Sequence, residues 1–558
     1  MPTTDLQTPD SQTTDLQNTN SQTTRPESTL HIDARVERKS VVLAQTLLVA
    51  ALIVLPLLYT QIPPLEDYPN HLARMFILAN HAPTDFLSHF YNIAWAPIPN
   101  LIMDLLVPPL IPLFGVYAAG RIFIAATLLL ILLGPMFVHR AIYHSWSAWP
   151  LVGGLFVYNG FLFVGLMNYL FGIGVAVFGL AAWIALAERN IALKILVSVI
   201  FCSILYVCHA AALAIYGLGI ASFEAWRLWE DKSIRVGPVI RSGVALIAPF
   251  LPFAYIALHS PTWKLVQQNV WESQGKLQAI ETFLSVYSDY ADIPFLVLII
   301  AAIITAKRRG LVRFHTAGIL IASIIAVAFV LMPRQAFGSW MADQRLIVGL
   351  FFMSLGFISV DLRKLETQNF FFALCLAAIA FRVVDISFNW ASLSQPILEL
   401  KAALHSLTPG SRLFVAQVDN LSPGTIDDSL SHSPNLAVIE RSALVSRLFT
   451  VEGKQIVHAR NDFHAHVDTE DGDTPSISQV LITAKTETPP NAAAHYWDDW
   501  EDFYDYLIVL GTDPEDTFNP APDMLQILHV GRGFDLYKIR HDSHAVAAAT
   551  GLAAPATH

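Results

Sequence analysis

The sequence predicts an all-α polytopic membrane domain followed by a small α/β domain outside the membrane. Three observations carry this. Between Val41 and Trp390 the chain is built mostly of apolar segments as long as a bilayer is thick. The turns between them divide by charge, with Lys and Arg on one side and acids, His, Trp and Pro on the other. From about Gln395 onward the pattern changes to short alternating runs of the kind that form strands. The composition agrees: the 558 residues are 54% hydrophobic and only 14% charged, against about a quarter charged in a soluble domain. The net charge of -11 gathers in the last third, as in Asp498-Asp499-Trp500-Glu501-Asp502, which argues against a nucleic-acid partner.

Residues 1–38 read as a disordered cytoplasmic tail, polar and repetitive, with Thr3-Thr4-Asp5-Leu6-Gln7 recurring as Thr13-Thr14-Asp15-Leu16-Gln17. Arg35, Arg38 and Lys39 then flank the first apolar run, which is too long for the core of a cleaved signal peptide and is read as a retained helix with its N-terminus in the cytoplasm. The membrane domain covers 39–392. Its expected spans are 41–61, 119–138, 148–165, 168–187, 191–208, 210–226, 239–258, 291–306, 314–332, 346–360 and 369–389, about eleven helices by the length rule. The inner turns 139–147, 188–194, 227–241, 307–313 and 361–366 then hold most of the Lys and Arg, among them Arg140, Arg189, Lys194, Arg227, Lys307, Arg308, Arg309, Arg363 and Lys364. That places the C-terminal domain outside, a topology suited to a bacterial inner membrane. Within the first outer loop, 62–118, the segment 101–117 is apolar but carries Asp104 and is broken by Pro108, Pro109 and Pro112; it reads as a helix lying on the outer leaflet. Gly165, Gly172, Gly174 and Gly179 suit close helix packing. The three cysteines, Cys202, Cys208 and Cys375, all lie in apolar segments, so no disulfide framework is expected in the outer domain.

The candidate functional residues share the outer face. Glu66 and Asp67 follow the first span, with His71 and Arg74 close behind. A carboxylate at the low-dielectric bilayer edge can act as a general base toward a hydroxyl or amine; equally, Asp67 or Asn70 can cap a helix over 70–80. Asn168 stands in the tight turn 165–169, either as a ligand or as a cap. His209 ends its span, as a catalytic or a packing residue. The loop 287–292 brings Tyr287, Asp289 and Asp292, and the loop 333–345 brings Arg334, Asp343 and Arg345. Either arginine suits a phosphate, through bidentate charge-assisted bonds; either can instead pair with Asp343. Arg382 and Asp385, one turn apart, read as a local ion pair.

These features resemble the GT-C glycosyltransferases. The resemblance rests on the acidic pair opening the first outer loop, the proline-interrupted surface helix ending Leu113-Phe114-Gly115, and Ala118-Ala119-Gly120-Arg121 leading into the second span. In plan the chain is similar to protein O-mannosyltransferases and lipid A aminoarabinose transferases over roughly 40–390. The resemblance implies transfer of a sugar from a polyprenyl-phosphate donor on the outer face. Asp67 matches the family's first-loop base, with Glu66 beside it. The usual order there is Asp-Glu or acid-x-acid; here it is Glu-Asp, so both acids stand as candidates. His71, Arg74, Asn168, His209, Arg334, Asp343 and Arg345 are the expected substrate- and donor-phosphate-binding set. A divalent metal serves some relatives, but the sequence offers it no clean ligand set. Membrane lipids are the remaining expected partners. The competing class is a non-enzymatic polytopic protein, a lipid or polysaccharide transporter or an assembly scaffold. Such a transporter should carry polar residues at the centres of several helices or symmetry between its halves, and neither is visible.

The outer α/β domain covers 393–541. Ser411–Val418, Tyr506–Gly511, Leu525–His529 and Phe534–Ile539 read as strands, Trp497–Tyr504 as a helix, and Gly531-Arg532-Gly533 as a hairpin turn. His464, His466, Asp468, Glu470 and Asp473 suggest a metal loop but complete neither a calcium nor a zinc pattern, and read as a solvated acidic loop. Residues 542–558 form an Ala-rich tail expected to be disordered. No phosphate loop, nucleophile elbow or His-Glu-x-x-His motif is present, which removes support for ATP-driven transport and soluble hydrolase chemistry.

Overall fold

The computed structural model describes residues 37–541 apart from 84, 233, 268, 285–286, 288, 337–338, 363–364, 420–427, 471, 484–494 and 516–518. The two tails expected to be disordered, the basic Arg363 and Lys364, and the side chains of Asp289 and Tyr290 lie outside the described residues. The long apolar runs form long helices. These are α1 (Lys39–Tyr59), α3 (Val116–Tyr143), α4 (Met167–Ala185), α5 (Ile191–Cys208), α6 (Ala210–Glu230), α10 (Asp289–Arg308) and α13 (Leu365–Ala403). Between them stand α2 (Tyr68–Ala79), α7 (Val236–Ile247), α8 (Leu251–His259), α9 (Gln274–Leu284), α11 (Thr316–Leu331) and α12 (Arg345–Leu355). Among the described residues, five helices are long and apolar enough to cross a membrane, or six if the bent pair α7–α8 is one span; the sequence reading expected about eleven.

Where the expected spans differ from the structure, the cause is local. The run 148–165 is not one helix. It forms a 3-10 segment, Trp149–Leu155, and a short helix, Gly160–Val164, whose first N–H groups are capped by Asn159. Pro150 and the Gly153-Gly154 pair interrupt it, and those glycines let the backbone press on Leu355, Ile379 and Ile53. Irregular backbone at this depth is tolerated because surrounding protein buries it. The run 239–258 bends by 41° between α7 and α8, at Pro249, which cannot donate its hydrogen bond. The run 346–360 stops at Leu355, and Ile358–Val360 pairs antiparallel with Val312–Phe314. The apolar segment Ile102–Phe114 is kinked at its prolines. At helical rise it reaches about 20 Å, against about 30 Å of hydrocarbon. Leu105, Leu106, Leu113 and Phe114 are exposed along it. Arg382 pairs with Asp292 of α10, while Asp385 holds Asn389. Arg382 stays within electrostatic reach of Asp385, and its pairing with Asp292 ties two helices together.

Contacts sort the helix ends into two groups. At one end Glu37 bonds Ser147 and Gln368, Tyr143 reaches the Phe357 carbonyl, the Asp361 N–H reaches the Leu311 carbonyl, and Glu224 gathers Lys194, Arg227 and Ser242. At the other end Leu101 N–H meets the Val207 carbonyl, Arg345 meets His209, Lys276 meets Asp343, and Thr262 meets the Gly453 carbonyl. The first group is made of the turns expected to face inward, the second of the loops expected to face outward.

The C-terminal region contains a five-stranded mixed sheet. Its strands are β1 (Arg412–Gln417), β2 (Leu444–Val445), β3 (Tyr506–Leu510), β4 (Leu525–Gly531) and β5 (Phe534–Ile539), in the order β2-β1-β3-β5-β4. The two-residue loop Arg532-Gly533 joins β4 to β5, with Gly533 at φ +81°, a conformation that glycine takes without strain. Alternation along β1 sends Phe414 and Ala416 to a core with Trp500, Tyr504 and Tyr537, and Leu413 and Val415 to the core shared with the helices. That second face docks α14 (Leu436–Arg441) onto α2, and Tyr91–Ile93 of the first loop pairs antiparallel with Val457–Ala459. The C-terminal region is therefore interlocked with the loops expected to face outward, and residues 428–450 are brought over α2.

Candidate active site

The acidic pair is seated by its backbone. Past α1, the Glu66 N–H donates to the Phe163 carbonyl at 2.8 Å and the Asp67 N–H to the Val164 carbonyl at 3.1 Å. Gly165, at φ +97°, closes this seat, and a Cβ there would fall 2.7 Å from the Asp67 Cβ. The irregular 159–165 turn thus positions the acids. Asp67 stands at the N-cap position of α2, yet its side chain makes no capping bond. Its carboxylate instead faces His432 Nε2 at 3.4 Å. Asn70 does not cap either: it lies inside α2, where its amide faces His432 Nδ1 at 3.4 Å and accepts the Phe449 N–H at 3.0 Å. The cap reading of both residues is corrected, because the C-terminal region supplies their side chains with partners.

His71, one turn into α2, is buried with its ring edge-on to Phe449. Burial, helped by the neighbouring Arg74 charge, holds it well below the usual histidine range, so it is neutral. Asp104 engages Arg74: Nε and Nη2 form a fork on its carboxylate at 2.8 and 2.9 Å, with both side chains almost fully buried, while Nη1 is buried with no hydrogen-bond partner among the described residues. This pair explains how an acid can sit in the apolar segment. Asn168 also serves the scaffold, accepting the Met103 N–H and donating to the Asn100 carbonyl, which staples that segment to α4.

His209 begins α6, accepting the Ala211 N–H on Nδ1 at 3.1 Å, and its Nε2 lies 2.8 Å from Arg345 Nη1. A neutral imidazole has one acceptor nitrogen, yet two donors approach this ring. Arg345 also donates to Ser339 Oγ, its buried Nε has no hydrogen-bond partner among the described residues, and Asp67 lies within electrostatic reach of it. Neither arginine pairs with Asp343. That acid takes Lys276 at 2.8 Å, and Arg334 turns to Glu272 at 3.4 Å with its guanidinium over Trp340. The loop fold consumes Asp343, because Lys276 simultaneously closes off the Phe329 and Met332 carbonyls at the end of α11.

The structure thus brings Asp67, His71, His209 and Arg345 to one end of the bundle, with Glu66 beside them, and assigns Arg74, Asn168, Arg334 and Asp343 to other contacts. Sequence reasoning missed His432 and Phe449, and read Asn70 only as a helix cap. No spacing signal could have found them, since Asn70 and His432 are 362 positions apart. Among the described residues no three His, Cys, Asp or Glu side chains are grouped to hold a metal ion.

No family model matches this sequence, and no curated protein matches it. Solved structures do. ArnT from Cupriavidus metallidurans bound to undecaprenyl phosphate is 12% identical, with 91% of this chain and 99% of that chain covered, at a TM-score of 0.51. The same protein in its apo state is 12% identical, with 89% and 98% covered, at a TM-score of 0.47. The first likeness shows that this chain has the ArnT fold over almost its whole length, which bears out the GT-C resemblance at the level of fold.

Proposed function

We propose that this chain is a membrane glycosyltransferase that moves a sugar from a polyprenyl-phosphate donor to a lipid, glycan or protein acceptor on the face holding the C-terminal domain. The observation that carries the reading is the pairing of roles at one end of the bundle. Asp67 is an acid seated by backbone bonds, and across from it Arg345 has a buried Nε without a partner among the described residues. The fold is shared with a protein solved with undecaprenyl phosphate bound. A polyprenyl-phosphate sugar has an anionic leaving group. Arg345, together with the donor left over at His209, would stabilise that charge as it develops. Asp67 would take the proton from the acceptor on the opposite face of the sugar, giving inversion in a single displacement. Glu66, adjacent in the chain, is the alternative base.

We also read the chain as crossing the membrane eleven times, with the N-terminus cytoplasmic and the C-terminal domain periplasmic in a bacterial inner membrane. Two facts support this. The turns rich in Lys and Arg share one end of the bundle. The irregular 148–165 also runs from Ala148, whose N–H reaches Glu37 at that end, to Phe163 and Val164, whose carbonyls take the Glu66 and Asp67 N–H groups at the other. The test is direct. Reconstituted protein should transfer sugar from an undecaprenyl-phosphate-linked donor, and Arg345→Gln should lower that rate by about two orders of magnitude. Transfer by Arg345→Gln at the parent rate would remove Arg345 from the donor site.

A further inference from the structure

We infer that His432, supplied by the C-terminal domain, is a positioning residue for Asp67, with its ring locked in the Nε2–H tautomer by Asn70, so that the catalytic site is complete only when that domain is docked. The inference rests on the reading of Asp67 as the base. The chain of hydrogen bonds has one consistent direction. The Phe449 backbone can only donate, so the Asn70 oxygen faces it, at 3.0 Å. The Asn70 Nδ2 then faces His432 Nδ1 at 3.4 Å, and an amide nitrogen can only donate. His432 Nδ1 is therefore the acceptor. The proton of the neutral ring is on Nε2, which faces Asp67 Oδ1 at 3.4 Å. That separation is long, as resting catalytic contacts are before substrate tightens them.

The surroundings hold this arrangement in place. The His432 ring stands edge-on to Phe449 with centroids 4.9 Å apart, and its side chain is 9% exposed. The loop carrying it is tied down by the Asn435 N–H to the His432 carbonyl, the Asn435 amide to the Arg447 carbonyl, and Ser433 to the Ser429 carbonyl. A donor aimed at a carboxylate favours its charged form and fixes its direction, which is what a base must have before acceptor arrives. The donor, its tautomer lock and the Phe449 N–H that orients the lock bridge α2 and residues 432–449. Undocking the C-terminal domain would remove the His432 donor from Asp67 and leave Asn70 without either partner.

The test uses the full chain in lipid nanodiscs with ring-15N histidine, His432→Gln identifying the His432 signals by difference. The expected spectrum shows a bare Nδ1 and a protonated Nε2 for His432, and Asn70→Ala should release the ring into exchange between tautomers. A protonated Nδ1 in the parent protein, or a spectrum that Asn70→Ala leaves unchanged, overturns the inference without touching the assignment of function. The second readout is transfer from an undecaprenyl-phosphate-linked sugar. His432→Ala should lower kcat about tenfold at unchanged KM, and His432→Gln, which keeps an N–H donor, should recover part of it. Equal losses in both variants, or a loss confined to KM, would reduce His432 to packing. A parent protein that shows the locked tautomer but no transfer would instead sink the functional reading.

Discussion

His71 shows what burial does to a single residue in this site. It was legible as a polar residue next to an acidic pair, but its neutrality was not, because that depends on Phe449 and on the closeness of Arg74. In the unfolded chain this ring takes a proton near its ordinary value of about 6.5, whereas in the fold it resists until the pH is much lower. Between those points the unfolded state binds more protons, so His71 makes stability fall as pH drops below about 6.5. His71→Gln, neutral at every pH, should flatten the loss of thermal stability between pH 7 and 5; an unchanged slope would show that His71 is not the proton-linked group. His432 marks the opposite limit of legibility. Asp67 and Arg345 could be grouped from sidedness alone, but His432 lies in a loop whose local pattern carries no trace of its partner across the fold.

Among the elements, the apolar runs were legible and their regularity was not. Length and hydropathy locate 148–165 and 239–258, while Gly153-Gly154 and Pro249 decide that neither is a straight helix. The irregularity has a use, since the 159–165 turn supplies the Val164 carbonyl and the Gly165 gap against which Asp67 sits. The break in the apolar segment around Asp104 was legible from its prolines, and the structure adds what holds it: the Arg74 fork and the Asn168 staple. Breaking a buried pair by removing one partner costs about 3–5 kcal/mol, whereas replacing both with apolar groups of similar volume is near neutral. Arg74→Met alone should therefore destabilise strongly, and Arg74→Met with Asp104→Leu should recover most of the loss. A double-mutant cycle of unfolding measures this; additive losses would show that the two side chains do not interact.

At the level of the whole molecule, the division of loops into two charge classes was the most informative property of the sequence. The contacts keep those classes at separate ends of the bundle. Single cysteines introduced at Glu66 and at Arg189 in a cysteine-free background should therefore label from opposite sides in intact cells, Glu66→Cys from outside. Labelling of Glu66→Cys only after the cytoplasm is opened would reverse the topology. The fold, shared with ArnT at 12% identity, was legible through span order and the acidic pair, because architecture depends on hydropathy and turn placement more than on particular side chains. The interlocking of the C-terminal sheet with the first loop was not legible, since strand pairing between Tyr91–Ile93 and Val457–Ala459 leaves no mark in either segment. If this assembly presents Asp67 as the base of a sugar transfer, Asp67→Asn in nanodiscs should carry out single-turnover transfer from an undecaprenyl-phosphate-linked sugar slower by about a hundredfold or more, with donor binding retained and the protein folded; transfer at the parent rate would remove Asp67 from the role of base.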